Sequence, residues 1–568
     1  MLGVGCASLS RVWRPQPGCT IHVLTACAGG AVAGKLKDVG PRMSQFFADG
    51  KFDVVIAHLE SLGWTRAPEI GIEGLVWTNL KNVDWSAILP FQPVNHLRGS
   101  QHLSNKAFLA YHMETSNFKD DMPLQWSSAY QDMAQLIGMA SVDALHSLAV
   151  SFLLELDSPS TPGVPKGHLR ELRELKAVTN ILRKNEEWAT SVDSQLVKDL
   201  LSLLDLFESG GVASRTSLRE LLRTMDESNP RFKYSGRENV WIVKPVGLSC
   251  GANIKIAQGI RELLSIVHSE MNYKCVVQKY IERPLLVKLG KHKFDIRQWI
   301  LVTSVSPLVM HGFSEFYCRV SSREYCTDAA SLKDPTVHLT NHSIQKSAAP
   351  LAGVESSEEA GADSIQLGDC STMLTQEQFE ADLREMASRR ELPGHAIELV
   401  ESGESIVAKV LLPQIKTIAF HTVSCARDKI EKVGAGFEWL GLDLMVTDSL
   451  QVLLIECNVS PDISLSTPVT ARIVQAAVKE IFPIIMPTDF PPRRRLDCAA
   501  DRSTIEPAWQ QWYPLGAEEA PTTNLLFARS KREKGILGSD HIPKKLDIFQ
   551  RTMEVLSRDE SVEDDDEI

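Results

Sequence analysis

Two acids and an amide late in the chain have the spacing of an oxygen ligand set. Gly441-Leu442-Asp443-Leu444-Met445-Val446 and Leu453-Leu454-Ile455-Glu456-Cys457-Asn458 are short apolar runs separated by the turn-forming Asp448-Ser449-Leu450. Residues two apart on a strand share a face, so Glu456 and Asn458 point the same way and Asp443 can join them across a hairpin. Three oxygen donors of this kind suit Mg²⁺ on nucleotide phosphates. The plainer reading is a polar edge on an ordinary hairpin. Against it stands the cost of burying carboxylates with no cation or donor beside them.

Cations recur on other strand-like runs. Val240-Trp241-Ile242-Val243-Lys244-Pro245 ends in a lysine and leads into a loop reaching Gly251, and Cys275 to Ile281 carries Gln278 and Lys279. Lys293-Phe294-Asp295-Ile296-Arg297 alternates, so its three charged residues share a face; Arg319 and His338-Leu339-Thr340-Asn341 follow. One such strand reads as a solvated sheet face. Several of them beside an acidic hairpin read better as a site for phosphate and carboxylate groups.

The elements that must position these residues fall into blocks. Ile21 to Val94 is mixed, with strand-like Val54-Val55-Ile56 and Leu75-Val76-Trp77, which predicts a small α/β unit. From Ser127 to about Met225 leucines recur at helical spacing, over Asp143–Leu156, Leu169–Lys184 and Ser194–Glu208. Asn239 to Pro483 alternates strands and helices, interrupted by the small and acidic stretch Ser347–Ser371. After Pro487 the chain reads as irregular, except for a helical candidate at Lys545–Leu556 and an acidic tail. The expected organisation is therefore a disordered N-terminus (1–20), an α/β domain (21–126), a helical insertion (127–235), a catalytic region (236–486, with a mobile loop at 347–371) and a C-terminal extension (487–568).

Composition narrows the class. Among 568 residues the net charge is −12, and half of that excess lies between Arg558 and Ile568. The nearly balanced remainder excludes a globally basic nucleic-acid binder and a highly charged disordered chain. No apolar run approaches the ~18–20 residues of a membrane span. Eleven cysteines without a C-x-x-C pair suggest neither a disulfide framework nor a zinc site, which points to a reducing compartment. Arg11 and Arg14 precede the mild apolar stretch Ile21–Ala28, but His22 and Thr25 interrupt it, which argues against a presequence.

From Pro90 to about Pro483 the residues resemble the tubulin tyrosine ligase-like enzymes. The phrases that carry the resemblance are Val94-Asn95-His96-Leu97-Arg98-Gly99, Val240–Pro245, Gln278–Leu286, Lys293–Val302, Val337–Lys346 and Leu454–Asn458. The resemblance implies an α/β protein of ATP-grasp fold, with a small N-terminal α/β domain and an inserted helical segment. It implies an enzyme that joins a free amino acid to acidic tubulin tails at the expense of ATP, through an acyl-phosphate. By position, Lys244 and Lys106 resemble phosphate-binding lysines, and Gln278, Lys279, Tyr280 and Ile281 resemble the segment holding adenine. Asp295 resembles the residue near the ribose, while Lys293 and Asn341 line the same cleft. Arg297 and Arg319 resemble the arginines facing the acyl-phosphate and the incoming amino acid. Asp443, Glu456 and Asn458 match the Mg²⁺ ligands, so that Lys244, Arg297, Arg319 and Glu456 form the implied catalytic set.

One departure stands out. Where the family has a basic residue in the loop after the strand lysine, Leu248-Ser249-Cys250-Gly251-Ala252-Asn253-Ile254 has none. This leaves a catalytically weakened, tubulin-binding protein as an alternative. The long helical segment and Ser466–Arg472 look like the glycine-adding branch, which makes glycine the expected amino acid. Gln278–Leu286 and Val337–Lys346 look as much like the tyrosine ligase, and glutamate stays open, as does another acidic protein as acceptor. Microtubules, free amino acid and no nucleic acid are the expected partners, in the cytoplasm, the cytoskeleton and the cilium or flagellar axoneme.

Overall fold

The computed structural model describes residues 45–558 apart from 72–73, 130, 132, 157–173, 182–214 other than Ser202, 250, 271–273, 289, 347–371, 487–506 and 514–541. The expected disordered start, the Ser194–Glu208 helix (Ser202 aside), Cys250, the loop at 347–371 and the acidic residues after Arg558 lie outside the described residues. The architecture is mixed helix and sheet.

The first unit is a parallel sheet of β1 (Gln45–Ala48), β2 (Thr65–Arg66) and β3 (Leu75–Trp77), in the order β2-β1-β3. Between β1 and β2 lies α1 (Asp53–Ser61), and here the sequence expectation is corrected: Val54-Val55-Ile56 is helical. These residues are β-branched, yet Val55, Ile56 and Leu59 fall on one helical face and bury there. Packing of that face overrides the strand preference of the run.

The segment Val94–Gly99 ties this unit to the rest. His96 Nδ1 lies 2.8 Å from Glu438 Oε1, the Leu97 amide donates to Glu438 Oε2 at 2.9 Å, and all three residues are buried. Gly99 adopts φ +92°, and a Cβ there would sit 2.0 Å from the Lys429 carbonyl oxygen, so the close approach requires glycine.

The second layer is a four-stranded antiparallel sheet in the order β4-β7-β5-β6. Its strands are β4 (Gln125–Ser127), β5 (Val240–Pro245), β6 (Lys255–Gln258) and β7 (Cys275–Lys279). The helices beside it are α2 (Lys106–Glu114), α3 (Met133–Leu156), α4 (Arg215–Ser228) and α5 (Gly259–Ser265). α3 contains the expected Asp143–Leu156 helix, and residues 174–181 of the expected second helix are helical. One apolar core joins the sheet to α3, α4 and α5, with Leu145 and Leu148 of α3, Leu218 of α4, Leu263 of α5 and Trp241 and Val277 of the sheet.

The third layer is a larger sheet built on β9 (His292–Val305), which pairs with β8 (Leu286–Val287), β10 (Leu308–Phe313), β11 (Tyr317–Glu324) and β13 (Glu438–Val446). β12 (Met373–Thr375) extends it beyond β11, and β14 (Val452–Val459) pairs with β13. The even-numbered residues Phe294, Ile296, Ile300 and Val302 of β9 join a core with α6 (Gln376–Ser388) and α7 (Leu412–Cys425). On the odd face, Lys293, Asp295 and Arg297 are succeeded by Trp299 and Leu301, which pack in another core with α8 (Pro468–Ile485). A change of residue type along one face therefore marks where the open site ends and the core begins. The stretch after Pro487, expected to be irregular apart from one helix, also supplies β15 (Trp509–Tyr513), which pairs with β10. The expected helix is present as α9 (Ile542–Arg558). Among the described residues no helix is long and apolar enough to cross a membrane.

Candidate active site between two antiparallel sheets

The cleft forms where β5 and β7 face β9, β11, β13 and β14. It holds about 800 Å³ of empty volume, including space open to solvent. Lys106, Lys244, Gln278, Lys279, Tyr280 and Ile281 border it, as do Lys293, Asp295, Arg319, Asn341, Asp443 and Glu456. Arg297 and Asn458 line an adjoining cleft that shares Arg319, Asn341 and Glu456 with the first. All the candidate residues thus gather at two connected openings.

Lys244 ends β5 and donates from Nζ to Gln278 Oε1 on neighbouring β7 at 2.8 Å. Lys293 on β9 donates to Tyr280 Oη at 2.7 Å, and Tyr280 in turn bonds His338 Nδ1 at 2.7 Å. His338 Nε2 faces the Ser331 carbonyl at 2.9 Å, which sets the tautomer: Nε2 carries the proton and Nδ1 accepts from tyrosine. Burial lowers the Lys244 ammonium to about 8 and the Lys293 ammonium to about 7, Lys244 adding to the second shift. Burial, helped by Lys293, lowers His338 to about 4. Among the described residues neither lysine is bonded to a carboxylate. They are buried ammonium groups held by neutral oxygens, suited to an anion that enters from the cleft.

The arginines are placed differently. β13 pairs with β9 so that Asp443 stands directly opposite Arg297, and β11 pairs with β9 so that Arg319 stands opposite Asp295. Arg319 Nε donates to Asp295 Oδ1 at 2.8 Å and its Nη2 to Asp443 Oδ2 at 2.8 Å, while Arg297 Nη2 reaches Asp443 Oδ2 at 3.1 Å. Burial pushes the Asp443 carboxyl up, but the two guanidinium groups more than offset this and hold it well below the usual range. A Cβ on Gly441 would lie 3.1 Å from Arg297 Cδ, so the absence of a side chain there leaves room for the arginine.

Asp443 and Glu456 face each other across the β13–β14 hairpin. Burial and the neighbouring Asp443 both raise the Glu456 carboxyl. Asn458 Nδ2 lies 3.3 Å from Asp443 Oδ2 and 3.3 Å from Glu456 Oε1. The amide sits between the carboxylates, and exchanging its N and O by rotation would present an oxygen in the same direction. Among the described residues no group of three or more His, Cys, Asp or Glu side chains is gathered as a metal site. A buried carboxylate, a half-buried one pushed toward its neutral form and one amide nonetheless make a donor set that a hard divalent cation would relieve.

The loop without a basic residue receives one from elsewhere. Lys106, at the start of α2, donates from Nζ to the Leu248 carbonyl at 2.6 Å. Gly251 adopts φ +76°, and a Cβ there would lie 2.9 Å from Asn341 Oδ1, so this glycine lets the loop lie close to Asn341. Lys279 behaves unlike the other cleft lysines. Its ammonium lies 2.8 Å from Asp143 and 2.9 Å from Glu282, with the side chain buried. Its side-chain donors therefore point at carboxylates, while the segment it belongs to borders the cleft. Asp143 is a functional neighbour that sequence reading passed over: it lies in an ordinary helical run, and no local signal marks it.

The tubulin-tyrosine ligase family model matches residues 209–384 and 363–495, which together span half of the chain. Tubulin glycylase 3D of Tetrahymena thermophila is 30% identical over 321 residues, which is 56% of this chain and 27% of that protein. The tubulin monoglycylase TTLL3 of Danio rerio is 32% identical over 315 residues, 54% of this chain and 36% of that protein. Its Homo sapiens namesake is 30% identical over 308 residues, 53% and 34% respectively. The chain thus spans about a quarter to a third of the length of these curated relatives. With the matched segments containing Lys244, the arginine-bearing strands and the Asp443–Asn458 hairpin, the chain belongs to the tubulin-tyrosine ligase family.

Proposed function

We propose that this protein is an ATP-dependent ligase of ATP-grasp fold that attaches glycine to glutamate side chains of tubulin tails. The observation that carries the proposal is the convergence of Lys106, Lys244, Lys293 and Arg319 on one cleft that ends at Asp443 and Glu456. Such a cleft suits a polyphosphate, whose accumulating charge must be offset during phosphoryl transfer. Lys106, Lys244 and Lys293 would hold the phosphates, the Gln278–Ile281 segment the base, and Asp295 and Asn341 the sugar side of the cleft. Asp443, Glu456 and Asn458 would hold Mg²⁺, which would supply charge neutralisation for the phosphates.

The reaction joins the amino group of glycine to a glutamate carboxylate by way of an acyl-phosphate, with ADP and phosphate released. Arg319 lines both clefts and Arg297 the adjoining one, and their forks can hold a carboxylate bidentately. They also stabilise the oxyanion that forms when the amine attacks the acyl carbon. Glycine, rather than tyrosine or glutamate, is favoured by the names of the curated relatives, which are glycylases. The Lys106 ammonium at the Leu248 carbonyl supports a catalytic reading over a purely tubulin-binding one, since it brings charge to the loop that lacks it. A microtubule location, including the cilium or axoneme, accompanies this substrate.

The test is incubation with ATP, tubulin and labelled glycine, tyrosine or glutamate in turn, with Glu456→Gln as the control. Label from glycine, lost in the variant, is expected. Label from tyrosine or glutamate alone overturns the glycine assignment. Tubulin binding with no label from any of the three overturns the ligase.

A further inference from the structure

Among the described residues, Lys279 is the cleft lysine whose ammonium is paired with carboxylates inside the protein. Its Nζ lies 2.8 Å from Asp143 of α3 and 2.9 Å from Glu282, and the ammonium sits 5.2 Å above the Trp241 ring. Exposure of these three charged side chains is 1%, 0% and 3%, so the cluster is dry. Each carboxylate reaches further. Asp143 also accepts a hydrogen bond from Ser235 Oγ. Glu282 accepts the Val240 amide at 2.9 Å through Oε1 and the Glu238 amide at 2.9 Å through Oε2. A Cβ on Gly236 would lie 2.1 Å from Glu282 Oε2, so the chain is stripped of a side chain where the carboxylate passes.

The cluster therefore buckles three segments: helix α3, the chain entering β5, and the chain leaving β7. The last of these carries Lys279, Tyr280 and Ile281 at the cleft, whereas Lys244 lies at the far end of β5 from the cluster. Packing alone does not call for this device. A buried ion cluster is often matched or exceeded in stability by apolar residues of similar size, whereas it holds its members in one geometry. Burial here disfavours the ammonium, but Asp143 and Glu282 more than offset that and keep it charged.

We propose that Asp143, Lys279 and Glu282 are positioning residues that fix the 279–281 segment against the nucleobase, so that the helical region controls base binding rather than phosphate binding. The proposal rests on the nucleotide reading above. It separates two halves of one ligand: the triphosphate, met by Lys106, Lys244 and Lys293, and the base, met by a strand end that α3 holds in register. A misplacement of about 1 Å in such a segment is enough to change binding by an order of magnitude or more.

The experiment compares the full chain with Asp143→Asn for binding of ATP and of inorganic tripolyphosphate, each by calorimetry, alongside thermal unfolding. Asp143→Asn is expected to weaken ATP by about tenfold while leaving tripolyphosphate within about twofold. Ser235→Ala, which removes one bond to Asp143 and no charge, is expected to shift the same ratio about threefold; it reads the proposal if Asp143→Asn does not fold. A purely structural cluster would lower the melting temperature with the ratio unchanged, and that result in a folded variant overturns the proposal. Equal weakening of both ligands overturns it as well. Wild-type protein that binds neither ligand overturns the nucleotide reading, and the positioning role with it.

Discussion

The cleft has a lysine end and an arginine end, and the two are buried by opposite means. Lys244 and Lys293 lie against neutral oxygens of Gln278 and Tyr280, and burial drags their ammonium groups down to about 8 and about 7. Arg297 and Arg319 lie against Asp443 and Asp295, two carboxylates placed opposite them by strand register. A lysine can respond to burial by releasing its proton, whereas a guanidinium cannot, so it must bring a carboxylate with it. The lysine end is thus left short of negative charge, ready for an anion. The arginine end is already neutralised and must exchange partners before it can serve a substrate.

This contrast is most severely tested by Arg319→Met. Removing that guanidinium leaves Asp295 buried without its main partner, and a loss of about 3–5 kcal/mol is expected in urea unfolding. The double change Arg319→Met with Asp295→Leu should recover much of it; no recovery would break the account of that end. At the lysine end the signs separate. Lys293→Met is expected to leave unfolding free energy equal or higher, because a buried ammonium held only by a neutral oxygen is removed, yet to weaken ATP by at least about tenfold, near 1.4 kcal/mol. A stability loss matching that of Arg319→Met would erase the distinction.

A pH series sharpens the same point. In the unfolded chain a lysine titrates near about 10.4, well above the folded values of about 7 and about 8 for Lys293 and Lys244. Between those limits the unfolded chain binds more protons, so these two residues make stability rise with pH from about 7 toward 10. Nucleotide affinity moves the other way, falling as pH climbs through about 8 and the free ammonium groups lose charge. Unfolding curves and ATP titrations on wild type and Lys293→Met check both signs. The smallest effect belongs to Lys106→Gln. Its bond to the Leu248 carbonyl lies in the more exposed part of the cleft, so ATP binding should weaken by about two- to fivefold with unfolding unchanged.

Much of this site could be read in one dimension. Alternation on β9 put Lys293, Asp295 and Arg297 on one face, and the spacing of Glu456 and Asn458 put them together opposite an acid. What stayed hidden was pairing between distant segments. Asp443 reads locally as a metal ligand, and only the β13–β9 register reveals that both of its oxygens already face arginines. Lys279 reads as one more cation beside the base, because its partner Asp143 lies on a helix far earlier in the chain. The Val54–Ile56 run misled for a related reason: β-branched residues favour strands until a core offers them a helical face, and α8 contributes to that core from far along the chain.

Helix α9 bears on how this protein can be handled. Phe549 and Leu556 are buried in the core shared by α3, α4 and α5, so the last described segment returns to cover apolar surface near the middle of the sequence. A convenient cut after the final family-matched residue at 495 would therefore strip the cover from that core. The shortened protein should bind hydrophobic dyes and sediment as aggregates, to an extent that the full chain does not.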